Sequence, residues 1–191
     1  MKKIIKYIGS FLRIFLLKIR YLKSFHISLG IRKNTISYLG RNLNVQLKSG
    51  TSLEIDENVT IEDNVFINCE AGSIKINEGV YINSNCRIVS LERITIGKNT
   101  ILGPNVQIYD HNHIFKDNKI PISHQGYTAQ EIVIGENVWI GTNSVITEGI
   151  NICDFVVIGA NSVVTKDILI SGVYCGAPAK LIKRISEDDS L

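Results

Sequence analysis

Three of the four histidines in this chain, His111, His113 and His124, fall within 14 residues of one another. The imidazole group changes its protonation state near neutral pH, so histidine is well suited to moving protons there. Histidines in a solvated loop with no chemical role are the simpler interpretation. The clustering favours chemistry, and proton transfer and metal binding are the two candidates.

A six-residue repeat surrounds these histidines on both sides. It begins with an aliphatic residue and often continues Gly-x-Asn, as at 96–99, 134–137 and 158–161. The aliphatic position returns every six residues within each of four runs, and short slips separate the first three runs. The runs are Ile55, Ile61 and Ile67; Ile76, Ile82 and Ile88; Ile96, Leu102 and Ile108; and Ile134, Ile140, Ile146, Ile152, Ile158 and Val164. Between residues 109 and 131 the repeat stops. Long insertions in a regular scaffold are usually functional loops, so we place the chemistry at this break.

The six-residue period predicts a coil in which three repeats close one triangular turn. The aliphatic residue of each repeat then points inward, and stacked coils pair in parallel sheets. We expect Gly and Asn at the corners, where left-handed backbone angles are tolerated. The composition agrees, because 33 Ile and 14 Val against 5 Ala in 191 residues favour strands over a helical bundle.

Three segments carry a family resemblance: IGENVWIG at 134–141, IGANSVVTKD at 158–167 and GAPAKLIK at 176–183. They resemble the hexapeptide-repeat acyltransferases, and in particular the galactoside, maltose and capsule-type O-acetyltransferases. The resemblance covers about residues 39–185. It implies an all-β fold, a left-handed parallel β-helix with a protruding loop at 109–131, and acetyl-CoA as co-substrate. It also implies a homotrimer whose active sites are shared between subunits.

The predicted domain organisation has three parts. Residues 1–25 form a basic amphipathic helix, residues 26–185 form the β-helix, and residues 186–191 form an acidic tail. A short C-terminal helix is also expected.

The resemblance implies a set of catalytic and acceptor-binding residues. His113 matches the catalytic base, and His111 is the second candidate. Asn83 matches the acceptor-binding asparagine, and Asn85 is a second acceptor-binding candidate. A corner asparagine is the alternative for both, and it is the preferred interpretation for Asn85. Asp110 is expected at the acceptor site, where it either orients a histidine or is a solvated carboxylate. Gln125 lies in a segment, 121–126, that resembles a loop of capsule and O-antigen acetyltransferases.

In the resembling enzymes acetyl-CoA lies along the outside of the coil, between two subunits. The contacts to it carry over to Trp139, Thr142, Ala160, Thr165, Lys166, Lys180 and Lys183. Trp139 would form a wall of the cleft, and it is otherwise an aromatic residue at the edge of a coil. The lysines would meet the cofactor phosphates.

Zinc is the competing use of the histidines. Their spacings of 2 and 11 residues differ from those of the zinc-binding β-helical carbonic anhydrases, and Cys69, Cys86, Cys153 and Cys175 form no CxxC pair. We therefore predict no metal. The expected function is acetyl-CoA-dependent O-acetylation of a sugar hydroxyl in capsule, O-antigen or exopolysaccharide assembly. N-acetylation of an amino nucleotide-sugar and a non-catalytic β-helical scaffold remain the alternatives.

The first 25 residues carry seven Lys and Arg and no acid. The whole chain has a net charge of +3, so the rest is acidic overall, and this balance argues against nucleic-acid binding. On a helical wheel one face is apolar: Ile4, Ile8, Phe11, Phe15, Ile19 and Leu22. Charges interrupt the segment too often for a membrane span or a signal peptide. This face either packs on the domain or a neighbouring subunit, or lies on an anionic membrane. The dispersed cysteines predict a cytoplasmic protein, with peripheral contact to the membrane as an option.

Overall fold

The computed structural model describes residues 2–22, 24–27 and 37–185. The chain winds as a β-solenoid of about six turns with three walls. Within each wall the strands of successive turns pair in parallel, and the last strand of the second wall alone, among the described residues, pairs antiparallel. The strands of the described residues are numbered β1 to β22 in chain order. The repeat therefore predicts the coil correctly.

The strands of each wall pair in the following order. The first wall comprises β1 (Phe25–Ile27), β4 (Ser52–Ile55), β7 (Ser73–Ile76), β10 (Arg93–Ile96), β15 (Ile132–Ile134) and β18 (Asn151–Ile152). The second comprises β2 (Tyr38–Leu39), β5 (Thr60–Ile61), β8 (Tyr81–Ile82), β11 (Ile101–Leu102), β16 (Trp139–Ile140), β19 (Val156–Ile158), β21 (Gly172–Cys175) and β22 (Lys180–Arg184). The third comprises β3 (Asn44–Leu47), β6 (Phe66–Cys69), β9 (Arg87–Ser90), β12 (Gln107–Tyr109), β17 (Val145–Ile146) and β20 (Val163–Val164).

The aliphatic residues of the repeat form ladders inside the solenoid. On the second wall, successive strands pair so that one aliphatic residue from each of five strands stacks at the same level. These residues are Ile61, Ile82, Leu102, Ile140 and Ile158. All five side chains are fully buried. Burying one such side chain stabilises the fold by about 1.5–3 kcal/mol, so the ladders hold the walls together.

The sequence predicts left-handed backbone angles for both the asparagines and the glycines of the Gly-x-Asn repeat, but the structure shows them only for the asparagines. Among the residues that the structure describes, nine asparagines have positive φ angles: Asn42, Asn58, Asn64, Asn85, Asn99, Asn105, Asn137, Asn143 and Asn161. The repeat glycines do not share this conformation. A Cβ atom at Gly97 would collide with the backbone carbonyl of Gly135 in the next coil. Gly97 therefore allows close stacking of coils, and the expectation of a left-handed glycine is wrong there.

The expected C-terminal helix is absent from the residues described up to 185. Residues 180–184 instead form β22, which pairs antiparallel with β21. An exposed strand edge needs hydrogen-bond partners, and a returning strand supplies them where a helix would not. The acidic tail at 186–191 lies outside the described residues.

The N-terminal helix α1 (Lys2–Arg20) packs across the first coil. Ser10 Oγ accepts a hydrogen bond from the Leu39 amide at 2.8 Å, and the Arg13 guanidinium donates to the Leu39 carbonyl at 2.9 and 2.6 Å. Ile14 is buried beside them. The helix thus packs on the domain, but through a face other than the predicted apolar one. No helix in the described parts of the chain is long and apolar enough to span a bilayer.

Candidate active site

The break in the repeat forms a β-hairpin that projects from the third wall. After β12 the chain leaves the coil, and β13 (His111–His113) pairs antiparallel with β14 (Tyr127–Ala129). His111 stands opposite Ala129, and His113 opposite Tyr127. Alternate residues of a strand point to the same side, so the two histidines share one face of the hairpin. The segment predicted as a loop is therefore partly ordered as a sheet.

Asp110 holds the base of this hairpin. Its carboxylate is fully buried and accepts hydrogen bonds from Ser90 Oγ at 2.7 Å, the Leu91 amide at 2.8 Å and the Glu92 amide at 2.9 Å. The Nδ1 atom of His111 lies 3.2 Å from Asp110 Oδ1. Asp110 thus orients a histidine, as one interpretation of the sequence held, and that histidine is His111. The expectation of a solvated carboxylate is wrong, and burial leaves Asp110 no surface to offer an acceptor.

His113 is the more exposed of the two histidines. Its ring lies 4.4 Å from that of Tyr127, centroid to centroid, at an angle of 40°. His113 lines two cavities, of about 260 and 500 Å³. The smaller cavity also contains His111, whose side chain is only 16% exposed. His113 is therefore the imidazole with free access to a ligand.

Glu148, which the sequence analysis did not single out, ties the hairpin to the solenoid. Asn112 Nδ2 donates to Glu148 Oε1 at 3.2 Å, and Thr128 Oγ1 donates to Glu148 Oε2 at 2.8 Å. Asn112 and Thr128 face each other across the hairpin, so one carboxylate grips both strands. No sequence signal marks Glu148, because it lies at an ordinary corner of the repeat.

Gln125 braces the outer end of the insertion. Its Nε2 donates to the carbonyls of Asp117 and Ile120, both at 2.7 Å, and its Oε1 accepts from the Asp117 amide at 3.1 Å. The amide group is thus engaged with loop backbone, and acceptor binding by Gln125 stays a prediction. His124 ends a single 3-10 turn (Ile122–His124) and lines neither histidine cavity.

The structure gathers a second set of predicted residues in a groove of about 480 Å³ on the second wall. It is lined in part by Asn83, Trp139, Thr142 and Ala160. Asn83 Oδ1 accepts a hydrogen bond from the Ser84 amide at 2.8 Å. Asn85 does not line the groove and has a φ of 63°, so it is the corner asparagine of the two.

The remaining predicted cofactor residues lie on the surface. Thr165 and Lys166 directly follow β20 on the third wall, and Lys180 and Lys183 belong to β22 on the second. All four are exposed. Within the described ranges, no group of three or more His, Cys, Asp or Glu residues is arranged to hold a metal ion.

One chain therefore keeps the two halves of the predicted site apart. The groove with Asn83 and the cavities with His113 have no lining residue in common. The histidines extend from the third wall, whereas the groove lies on the second.

The β-solenoid and its histidine-bearing hairpin are the features of a hexapeptide-repeat protein, and comparison with known proteins supports the same class. A family model described as the hexapeptide repeat of succinyl-transferase matches residues 131–166. A crystal structure of a maltose O-acetyltransferase from Clostridium difficile 630 is 35% identical, covers 78% of this chain and 70% of its own, and superposes with a TM-score of 0.51. This chain belongs to the hexapeptide-repeat acetyltransferase family.

Two further relatives have informative names. An Escherichia coli (strain K12) protein named for O-acetyl transfer in lipopolysaccharide biosynthesis is 34% identical over 127 residues. That match spans 63% of this chain and 65% of the relative. A hexapeptide-repeat acetyltransferase from Vibrio cholerae, solved with acetyl coenzyme A, is 28% identical with a TM-score of 0.53 and covers 78% of this chain and 71% of its own.

Proposed function

We propose that this protein is an acetyl-CoA-dependent O-acetyltransferase that acts on a sugar hydroxyl in surface polysaccharide assembly. The observation that carries the proposal is the exposed imidazole of His113, on a hairpin that Asp110 and Glu148 fix to the solenoid. A rigidly held base next to an open cavity is what proton abstraction from a bound hydroxyl requires.

His113 acts as the general base. Its neutral imidazole takes the proton of the acceptor hydroxyl as the oxygen bonds to the thioester carbonyl carbon. When the carbon–sulfur bond breaks, His113 returns that proton to the departing sulfur, so the products are an acetyl ester and a free thiol. His111, oriented by Asp110, contacts the same aromatic ring as the base: the Tyr127 ring centroid is 5.7 Å from that of His111 and 4.4 Å from that of His113.

The second-wall groove suits the extended chain of acetyl-CoA, which supplies the acetyl group as a thioester. Three glycines and Trp139 line it and leave the backbone accessible. Lys180 and Lys183 stand exposed on the same wall, where their ammonium groups would meet phosphates. Thr165 and Lys166 are assigned to the same ligand.

We propose a homotrimer, as the family resemblance implies, and the separation of the groove from the base within one chain supports a site shared between subunits. A neighbouring copy could bring its second wall against the hairpin, so that Asn83 of one subunit and His113 of another serve one acceptor. Mixing inactive His113→Ala and Asn83→Ala chains tests this arrangement. Mixed oligomers should regain activity, since some interfaces would pair two intact halves, and no recovery after subunit exchange would contradict it.

The activity test combines the protein with acetyl-CoA, a thiol reagent and candidate sugars. Sugars that carry only hydroxyl groups should accelerate thiol release, and hydroxylamine should remove the acetyl group from the ester product. A hydroxylamine-resistant product formed only from amino sugars would indicate N-acetylation. Slow hydrolysis that no sugar accelerates would indicate a scaffold. His124→Ala is the matched control, because His124 lies in the same insertion but outside the two cavities.

A further inference from the structure

Helix α1 has two unlike sides. Its inner side, with Ser10, Arg13 and Ile14, is bound to the first coil. Its outer side, here called the outer strip, consists of Ile8, Phe11, Leu12, Phe15, Leu16, Ile19 and the following Leu22. Their exposed fractions run from 38% to 80%. Seven large apolar side chains on one continuous surface are unusual for a face that only meets water.

Basic residues border the outer strip along both edges. On a helix with about 3.6 residues per turn, Lys18 falls beside Phe11 and Leu22, and Arg20 falls beyond Leu16. The chain contains no acidic residue before Glu54. The strip therefore offers apolar contact flanked by positive charge, and α1 itself carries no acid. On the adjoining coil, Glu54 and Asp56 line a cavity together with Lys18 and Leu22 at the C-terminal end of the strip.

This combination fits an anionic membrane surface. Apolar side chains enter the boundary between headgroups and acyl chains, while flanking Lys and Arg meet the lipid phosphates. A second copy of the strip fits poorly, since a symmetric pair would bring cationic edges together with no carboxylate on either helix. We propose that the outer strip docks the protein on an anionic membrane surface, with α1 lying along the surface and its inner side still bound to the coil.

The test must alter the strip without removing the helix, because deletion would also take Ser10, Arg13 and Ile14 away from the first coil. We choose Phe15→Asp/Ile19→Asp. The matched control is Leu169→Asp/Ile170→Asp, which places the same charge on two exposed apolar residues near the opposite end of the solenoid. Flotation of the full chain with vesicles of phosphatidylcholine plus phosphatidylglycerol measures binding, and pure phosphatidylcholine vesicles serve as the neutral comparison.

The wild-type protein should float with the anionic vesicles at low salt and be released at high salt. The strip variant should lose about tenfold or more in vesicle partitioning, whereas the control should match the wild type. Lys18→Gln/Arg20→Gln, which leaves the apolar residues intact, should also weaken binding to anionic vesicles. Equal flotation of the strip variant and the control would overturn the proposal, as would failure of the wild type to bind. A strip variant of altered oligomeric mass by light scattering would overturn it in favour of a subunit interface.

Discussion

The walls of the solenoid and the histidine hairpin are held together in opposite ways. In the walls one contact recurs at every turn, as in the stack that contains Ile82, Leu102 and Ile140. In the hairpin each fixing contact occurs once, at Asp110 and at Glu148. The scaffold thus spreads its stability over many equivalent residues, whereas the position of the histidines depends on a few polar groups. Substitutions in the two regions should therefore have different consequences.

The largest effect on activity is expected at His113. His113→Ala should lower the turnover of acetyl transfer by about 100- to 10,000-fold, the usual range for a lost general base. Thermal unfolding should change little, because the ring is exposed. Binding of acetyl-CoA, measured by calorimetry, should be retained. If His111→Ala abolishes activity while His113→Ala is mild, the base is His111.

The largest effect on stability is expected in the ladder. Ile82→Ala leaves a cavity at a fully buried position and should reduce the free energy of unfolding by about 2–5 kcal/mol. Leu169→Ala, at an exposed position, should stay within about 0.5 kcal/mol. Urea denaturation measures both. Similar losses in the two variants would show that the ladder does not dominate stability.

Asp110→Asn should affect both the wall and the hairpin, because the Asp110 side chain is buried in the wall and supports the hairpin. An amide in its place keeps one acceptor oxygen but turns its NH2 group toward the amide donor of either Leu91 or Glu92, so unfolding should become easier by about 1–3 kcal/mol. Activity should fall as well, since His111 loses its partner. Urea denaturation and acetyl-transfer rates measure the two effects. Wild-type values of both would show that the carboxylate is dispensable.

A smaller effect is expected at Glu148. Glu148→Ala removes the partner of Asn112 and Thr128 and should cost about 0.5–1.5 kcal/mol in total, because both lost hydrogen bonds are exposed to water. Hydrogen exchange followed by mass spectrometry should speed up in peptides that cover the hairpin and stay unchanged in those that cover the first three coils. Faster exchange throughout the chain would mean that Glu148 supports the whole solenoid.

The smallest perturbation is thiol labelling of the native protein, which changes no residue of the sequence. Burial raises the pKa of Cys69 to about 12 and that of Cys86 to about 11, so the reactive thiolate is scarce at pH 8. Iodoacetamide should therefore modify only Cys153 and Cys175 in the folded protein, and all four cysteines in denaturant. Rapid labelling of Cys69 would show that the walls open locally.

The sequence predicts what repeats and misses what occurs once. Sixfold phase is enough to infer the walls and the inward aliphatic residues, because the same pattern recurs along the coil. The role of Gly97 was assigned wrongly, since a residue type does not reveal whether it is needed for its φ angle or for close packing. The prediction of a C-terminal helix was wrong, because the local sequence does not show that the edge of β21 is open to a further strand.

The candidate site was predictable only as a collection of residues. The break in the repeat located the histidines, and family motifs located the residues of the groove. The burial of Asp110 and the grip of Glu148 depend on contacts between residues about 20 positions apart or more, as from Ser90 to Asp110 and from Asn112 to Glu148. Such contacts leave no periodic trace in a single sequence.

The two ends of the second wall have a consequence for how the protein behaves at high concentration. A stack of parallel strands presents unpaired amides and carbonyls at each end, and a second molecule could extend the stack into a fibre. At one end Ser10 and Arg13 occupy the amide and carbonyl of Leu39, and at the other β22 reverses direction against β21. We expect these terminal contacts to limit end-to-end stacking, so loss of either should allow molecules to assemble into filaments.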